Sequence, residues 1–252
     1  MKNEAALKDL LYRLADDELI IGHRNSEWTG LGPILEEDLA FSSMAQDELG
    51  HAQAYYMLLE KMGEGHPDQL AFNRKEKDFR SCHFVGAPIG DYSFSLVRHF
   101  LYDYAEYVRL TNLTTSTFEP LAELSKKLLR EEKFHTLHAK TWMIQLGNGS
   151  EEGRIRLQSA LNDAYPMALG MFESAEFTDW LEKENIMSGE MKLKAQWLDM
   201  IKPIIDQSQL KLPVVKNETE FYGGRKGFHS AHLKQLLDEM TEVFAIDPSA
   251  NW

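Results

Sequence analysis

The chain has 252 residues, 43% hydrophobic content and a formal net charge of -13. That length and apolar fraction suffice for one large globular domain, and the acidic balance excludes a nucleic-acid binder, whose partner demands a basic surface. A single cysteine excludes an intramolecular disulfide framework, and no stretch approaches the ~18–20 apolar residues that span a bilayer.

Apolar periodicity predicts an all-α chain with helices over about 4–24, 33–63, 91–115, 119–146, 152–184, 188–210 and 229–245, and alternating strand-like runs are scarce. The N-terminus, Met1-Lys2-Asn3-Glu4, leads straight into an amphipathic pattern with no secretory apolar core, so a cytoplasmic setting is expected. In the first helix Leu7, Leu11, Leu14, Glu18 and Ile21 follow steps of four and three, which puts Glu18 on the buried stripe and Asp16 and Asp17 off it. The second runs Phe41, Ala45, Glu48, Ala52, Tyr55 and Leu59, with His51 on the same side as Glu48. Residues 64–90 form a connection rich in Gly, Pro and charge, long enough for the crossover that a ferritin-like bundle requires.

The third helix reads Leu96, Phe100, Asp103, Tyr107 and Leu110. Glu106 is the competing acid there, with the more mixed neighbours His99, Tyr102, Arg109 and Leu113. The fourth reads Leu121, Leu124, Leu128, Glu132, His135, Ala139 and Trp142, and Gly147-Asn148-Gly149-Ser150 ends it. Pro166 should kink or split the fifth segment. The stretch from Tyr222 to His229 is a flexible basic loop in which Arg225, Lys226 and glycine amides could grip a phosphate; a solvated turn or an intersubunit contact is the other reading. The expected architecture is one ferritin-like domain over 1–252, a four-helix bundle at about 4–146 with additional C-terminal helices at about 152–245.

Four helices thus each carry a carboxylate where leucine would be expected. Two of the acids open Glu-x-x-His elements, Glu48-Leu49-Gly50-His51 and Glu132-Lys133-Phe134-His135. The element alone is weak evidence, because 25 Glu and 9 His generate about one by chance in a chain of this length. Placement on apolar stripes is more discriminating, as is the matched spacing: Glu18 to Asp103 is 85 residues and Glu48 to Glu132 is 84. Removing an ionised carboxylate from water costs several kcal/mol, against a net domain stability of ~5–15 kcal/mol. Two divalent cations would neutralise all four acids; local pairing of each with Arg, Lys or backbone is the alternative. Oxygen and imidazole donors suit iron or manganese, and Cys82 alone cannot build a thiolate site.

On this reading Glu48 and Glu132 bridge the metals, Glu18 and Asp103 are terminal ligands, and His51 and His135 supply nitrogen. Asp47 and Glu131 are placed to hydrogen-bond the imidazole of the opposite helix, or are exposed surface charge. Dioxygen chemistry at such a site needs outside electrons, and the chain has neither a Gly-x-Gly-x-x-Gly fingerprint nor a cysteine set for an iron-sulfur cluster. An oxygenase would require a separate reductase; an iron-storage or peroxide-consuming protein would not.

The stretches Arg24-Asn25-Ser26-Glu27-Trp28-Thr29-Gly30, Leu146-Gly147-Asn148-Gly149-Ser150 and Gly223 to Leu233 resemble those of the C-subunit family of phenylacetyl-CoA epoxidase, and the similarity extends over nearly the whole chain. The resemblance implies a ferritin-like component of a bacterial di-iron monooxygenase of aerobic phenylacetate catabolism. It also implies partners: a homologous catalytic oxygenase component in a dimer or hetero-oligomer, an NADPH-dependent reductase, and an aryl-CoA substrate whose phosphates Arg225 and Lys226 could meet. The ligand positions of the family's catalytic relatives correspond to Glu18, Glu48, His51, Asp103, Glu132 and His135. The well-known C-type members resemble a structural partner that has lost most of these ligands, whereas this chain keeps the complete set. Three functions therefore stand open: a metal-loaded oxygenase component, a scaffold for a catalytic homologue, and an independent iron or peroxide protein.

Overall fold

The computed structural model describes residues 2–247, and the regular structure among them is entirely helical. Ten α-helices occur among the described residues. They are α1 (Lys2–Ser26), α2 (Leu35–Lys61), α3 (Pro67–Phe72), α4 (His83–Gly86), α5 (Tyr92–Leu113), α6 (Glu119–Gly149), α7 (Glu151–Ala168), α8 (Thr178–Lys183), α9 (Glu190–Gln207) and α10 (Ala231–Thr241). The fold is all-α and ferritin-like, and no helix among the described residues is long and apolar enough to cross a membrane.

The chain forms two compact units, the first from residues up to Pro88 together with those from Gly223 onward, the second from Ile89 to Tyr222. In the first unit α1 and α2 run antiparallel. Asn25 bonds Glu48, Asp16 bonds Tyr56 and Tyr12 bonds Glu64, so partners on α2 and beyond advance as those on α1 recede. The turn between them is held by Asp38, whose Oδ1 accepts from the amides of Gly30 and Gly32 at 2.6 and 3.3 Å. Leu10, Leu11, Leu14 and Ile21 of α1, and Phe41, Ala45, Tyr55 and Leu59 of α2, are buried; each large apolar side chain removed from water contributes about 1.5–3 kcal/mol.

The crossover is more ordered than its composition suggests. Pro67 at the start of α3 needs no amide partner, the His66 ring caps Asp68 N, and a second short helix, α4, follows. The C-terminal segment then returns to this unit. Gly227, at φ +79, sits so close to Lys77 that a Cβ would lie 2.2 Å from its carbonyl oxygen, and only glycine fits there.

In the second unit α5 and α6 form the other antiparallel pair, joined by the short connection 114–118. The Asp91 side chain caps α5 by accepting from Phe94 N, Pro120 starts α6, and Ser150 caps α7 by accepting from Gly153 N. Trp197 of α9 is fully buried against Tyr165 and Phe172, its indole N–H donating to Leu101 O at 2.9 Å. The segment over 152–184, expected to kink or split at Pro166, is split. The α-helix ends at Ala168, two residues after Pro166, passes through a 3-10 turn, and resumes as α8.

Candidate metal centre

Each unit brings together an acidic and imidazole set from its own helix pair. In the first, Glu18 of α1 and Glu48 and His51 of α2 are all buried. His51 Nδ1 lies 3.5 Å from Glu18 Oε2. Neither carboxylate oxygen of Glu18 accepts a hydrogen bond among the described residues. Glu48 takes the Asn25 amide nitrogen on both oxygens, at 2.9 and 2.7 Å.

Two residues that the stripe reading places off the buried face, Asp16 and Asp17, are in fact buried. The reason is tertiary: the crossover and the C-terminal segment cover the other face of α1. Asp16 accepts from the Arg74 guanidinium, Tyr56 OH and Arg80 N; Asp17 accepts from Cys82 N and from Arg225. Arg74 also stacks on Tyr12, Tyr56 and Phe79. These acids are neutralised by guanidinium groups. Arg225 is therefore engaged internally, with Asp17 and the Arg80 carbonyl, and it is Lys226 that faces solvent in that loop.

In the second unit Asp103 of α5 and Glu132 and His135 of α6 are buried, and one ligand atom from each lies within 4.8 Å of the others. His135 Nδ1 is 3.4 Å from Glu132 Oε2. Glu106, the competing acid on α5, is equally buried, but its carboxylate is paired with Arg109 one turn on. Asp103, Glu132 and His135 thus come together, while Glu106 is paired with Arg109.

His99 is a participant the periodicity did not single out. It is fully buried one turn before Asp103, with Nδ1 3.0 Å from Asp103 Oδ1. Burial pushes its pKa down, Asp103 pushes it up, and the neighbouring His135 and His138 lower it again. Its signal in the sequence was the i, i+4 spacing to Asp103 on a helix with no polar face. Asp47 and Glu131 occupy partly exposed positions on α2 and α6.

The donor set fits a carboxylate and imidazole metal site. Oxygen and nitrogen ligands of this kind suit iron or manganese. Glu18 supports the fit independently, because a buried carboxylate without hydrogen bonds is costly unless a cation compensates it.

A family described as phenylacetic acid catabolic protein matches residues 1–252. The chain is 30% identical over 241 residues, 95% of its own length and 96% of the relative's, to the C component of the 1,2-phenylacetyl-CoA epoxidase of Escherichia coli (strain K12). It is also 27% identical over 160 residues, 63% of its length and 51% of the relative's, to the A component of the same epoxidase.

Proposed function

Because the chain belongs to the phenylacetic acid catabolic protein family, we propose that it is one component of a multisubunit di-iron monooxygenase that epoxidises the ring of phenylacetyl-CoA. Glu18, Glu48, His51, Asp103, Glu132 and His135 are proposed as the ligands of two iron ions, with manganese as the alternative metal. The observation that carries the reading is a full-length match to an epoxidase component in a chain whose two Glu-x-x-His elements are buried on α2 and α6. A metal pair bound by such ligands supplies two-electron redox chemistry toward dioxygen.

The protein's own part is to hold the donors and keep the site dry. His51 Nδ1 lies beside Glu18 and His135 Nδ1 beside Glu132, so each imidazole shares its pocket with a carboxylate proposed to bind the same metal pair. Asp103 is steadied by His99. The apolar residues around them exclude water, which strengthens every charge interaction inside. Electrons are proposed to come from a separate NADPH-dependent reductase, and the complex is proposed to include a homologous catalytic oxygenase component.

The test is iron content and turnover in the reconstituted complex. Two iron atoms per chain, and loss of epoxidation in Glu48→Ala, are expected for a metal-loaded oxygenase component. An iron-loaded wild type with unchanged turnover of the complex after Glu48→Ala has lost its iron would instead make the chain a scaffold, and a metal-free wild type would refute the ligand assignment.

A further inference from the structure

Three buried acids of the first unit, Asp16, Asp17 and Glu48, have chemically different donors. Asp16 and Asp17 hold guanidinium groups. Glu48 has both oxygens within hydrogen-bonding distance of an uncharged donor, Asn25 Nδ2, at 2.9 and 2.7 Å. Asn25 lies in the last turn of α1 and is fully buried. The amide orientation follows from its neighbour, because the reverse orientation would press Oδ1 against two carboxylate oxygens.

Asn25 is a poor choice for folding alone. Its Oδ1 is buried and accepts no hydrogen bond among the described residues, and asparagine is a weaker helix former than leucine or alanine. What it offers that those residues lack is a donor. What it offers that arginine or lysine lacks is a donor without positive charge, which leaves the electrostatics beside a cation site undisturbed.

We propose that Asn25 is a positioning residue for Glu48. It fixes the orientation of that carboxylate through a neutral contact to both oxygens, and so sets the affinity of the metal centre and the coordination geometry at the ion Glu48 holds. The inference rests on the metal-centre reading given above.

The test uses the full chain and Co(II), whose visible absorption reports coordination geometry. Asn25→Leu keeps the branched skeleton, at a larger volume, and removes the donor; it is expected to weaken Co(II) binding by about 10–100-fold and to change the spectrum of the bound ion. The metal-free melting temperature should fall modestly, because the buried Glu48 carboxylate loses a donor, so binding is compared at a temperature where both proteins are folded. Asn25→Ser, which retains a hydroxyl donor, should recover part of the affinity. Wild-type affinity and spectrum in Asn25→Leu, alongside lost binding in Glu48→Ala, would overturn this inference and leave the metal centre standing. If Glu48→Ala binds Co(II) as the wild type does, or the wild type binds none, the metal-centre reading falls and this inference with it. Should Asn25→Leu fail to fold, Asn25→Ala takes its place: reduced binding, partly restored in Asn25→Ser, is expected, and wild-type binding in both refutes the role.

Discussion

Asp17 and Arg225 stand 208 residues apart in the chain and meet as a buried ion pair, with the guanidinium Nη2 donating to Oδ2 at 2.6 Å. The pair fastens the C-terminal segment to α1 at the residue next to Glu18. Breaking it from one side leaves a buried charge without its counterion. Arg225→Ala is expected to destabilise the protein by about 3–5 kcal/mol in urea unfolding. A loss under about 1 kcal/mol would mean that water reaches Asp17 once the guanidinium is gone.

Glu18 presents the opposite case, a buried carboxylate that no hydrogen bond stabilises among the described residues. In chelator-treated protein Glu18→Leu should therefore raise stability, on the order of 1–4 kcal/mol, while abolishing metal binding. Denaturant midpoints of the two metal-free proteins decide the matter. A less stable variant would show that the carboxylate already has its compensation without a cation.

Metal binding and folding should be linked. Free Fe(II) or Mn(II) at about a hundred times its dissociation constant is expected to add about 2.7 kcal/mol per ion, seen as a raised melting temperature that a chelator reverses. His135→Ala should remove most of this increment. An equal increment in that variant would point to ions bound elsewhere on the acidic surface.

Burial pushes the His23 imidazole down to about 4 from an ordinary value of 6.5. Above pH 6.5 the ring is neutral in folded and unfolded chains alike. Between about 6.5 and 4 the unfolded chain takes up a proton that the folded chain refuses, so stability falls as pH falls, and the contribution levels off below 4. His23→Gln should flatten this part of the profile. Denaturant midpoints collected from pH 7 to pH 4.5 check it, and identical slopes in the two proteins would assign the acid sensitivity to other groups.

The end of α6 packs tightly on the residue after α9. A Cβ on Gly147 would lie 2.2 Å from Ser208 O. Gly147→Ala should cost about 1–3 kcal/mol through forced separation of the two backbones, even though alanine is the better helix former. An unchanged melting temperature would show that this end of the helix moves freely.

How much of this was legible in the sequence depended on whether a helix kept a solvent face. On α6 the residues Leu121, Leu128, Glu132, His135 and Ala139 are buried while Lys133, Phe134 and Leu137 are exposed, so periodicity reported the true inner stripe. On α1 and α5 it could not. Residues 13–22 of α1 and 95–106 of α5 are buried all round, so nothing in the 3.6-residue period separated Asp17 from Glu18, or Glu106 from Asp103.

The long helices, the two Glu-x-x-His elements and a break in the segment that carries Pro166 were legible in sequence alone, because capping, breaking and helical spacing act within a few residues, whereas the short helices α3 and α4 in the connection were not. Which acids of the first unit receive a guanidinium or an amide was decided only by tertiary structure. Arg74, Arg225 and Asn25 reach their carboxylates from 58, 208 and 23 residues away. Charge pairing is a property of distance in space, and local patterning records it only for partners one helical turn apart.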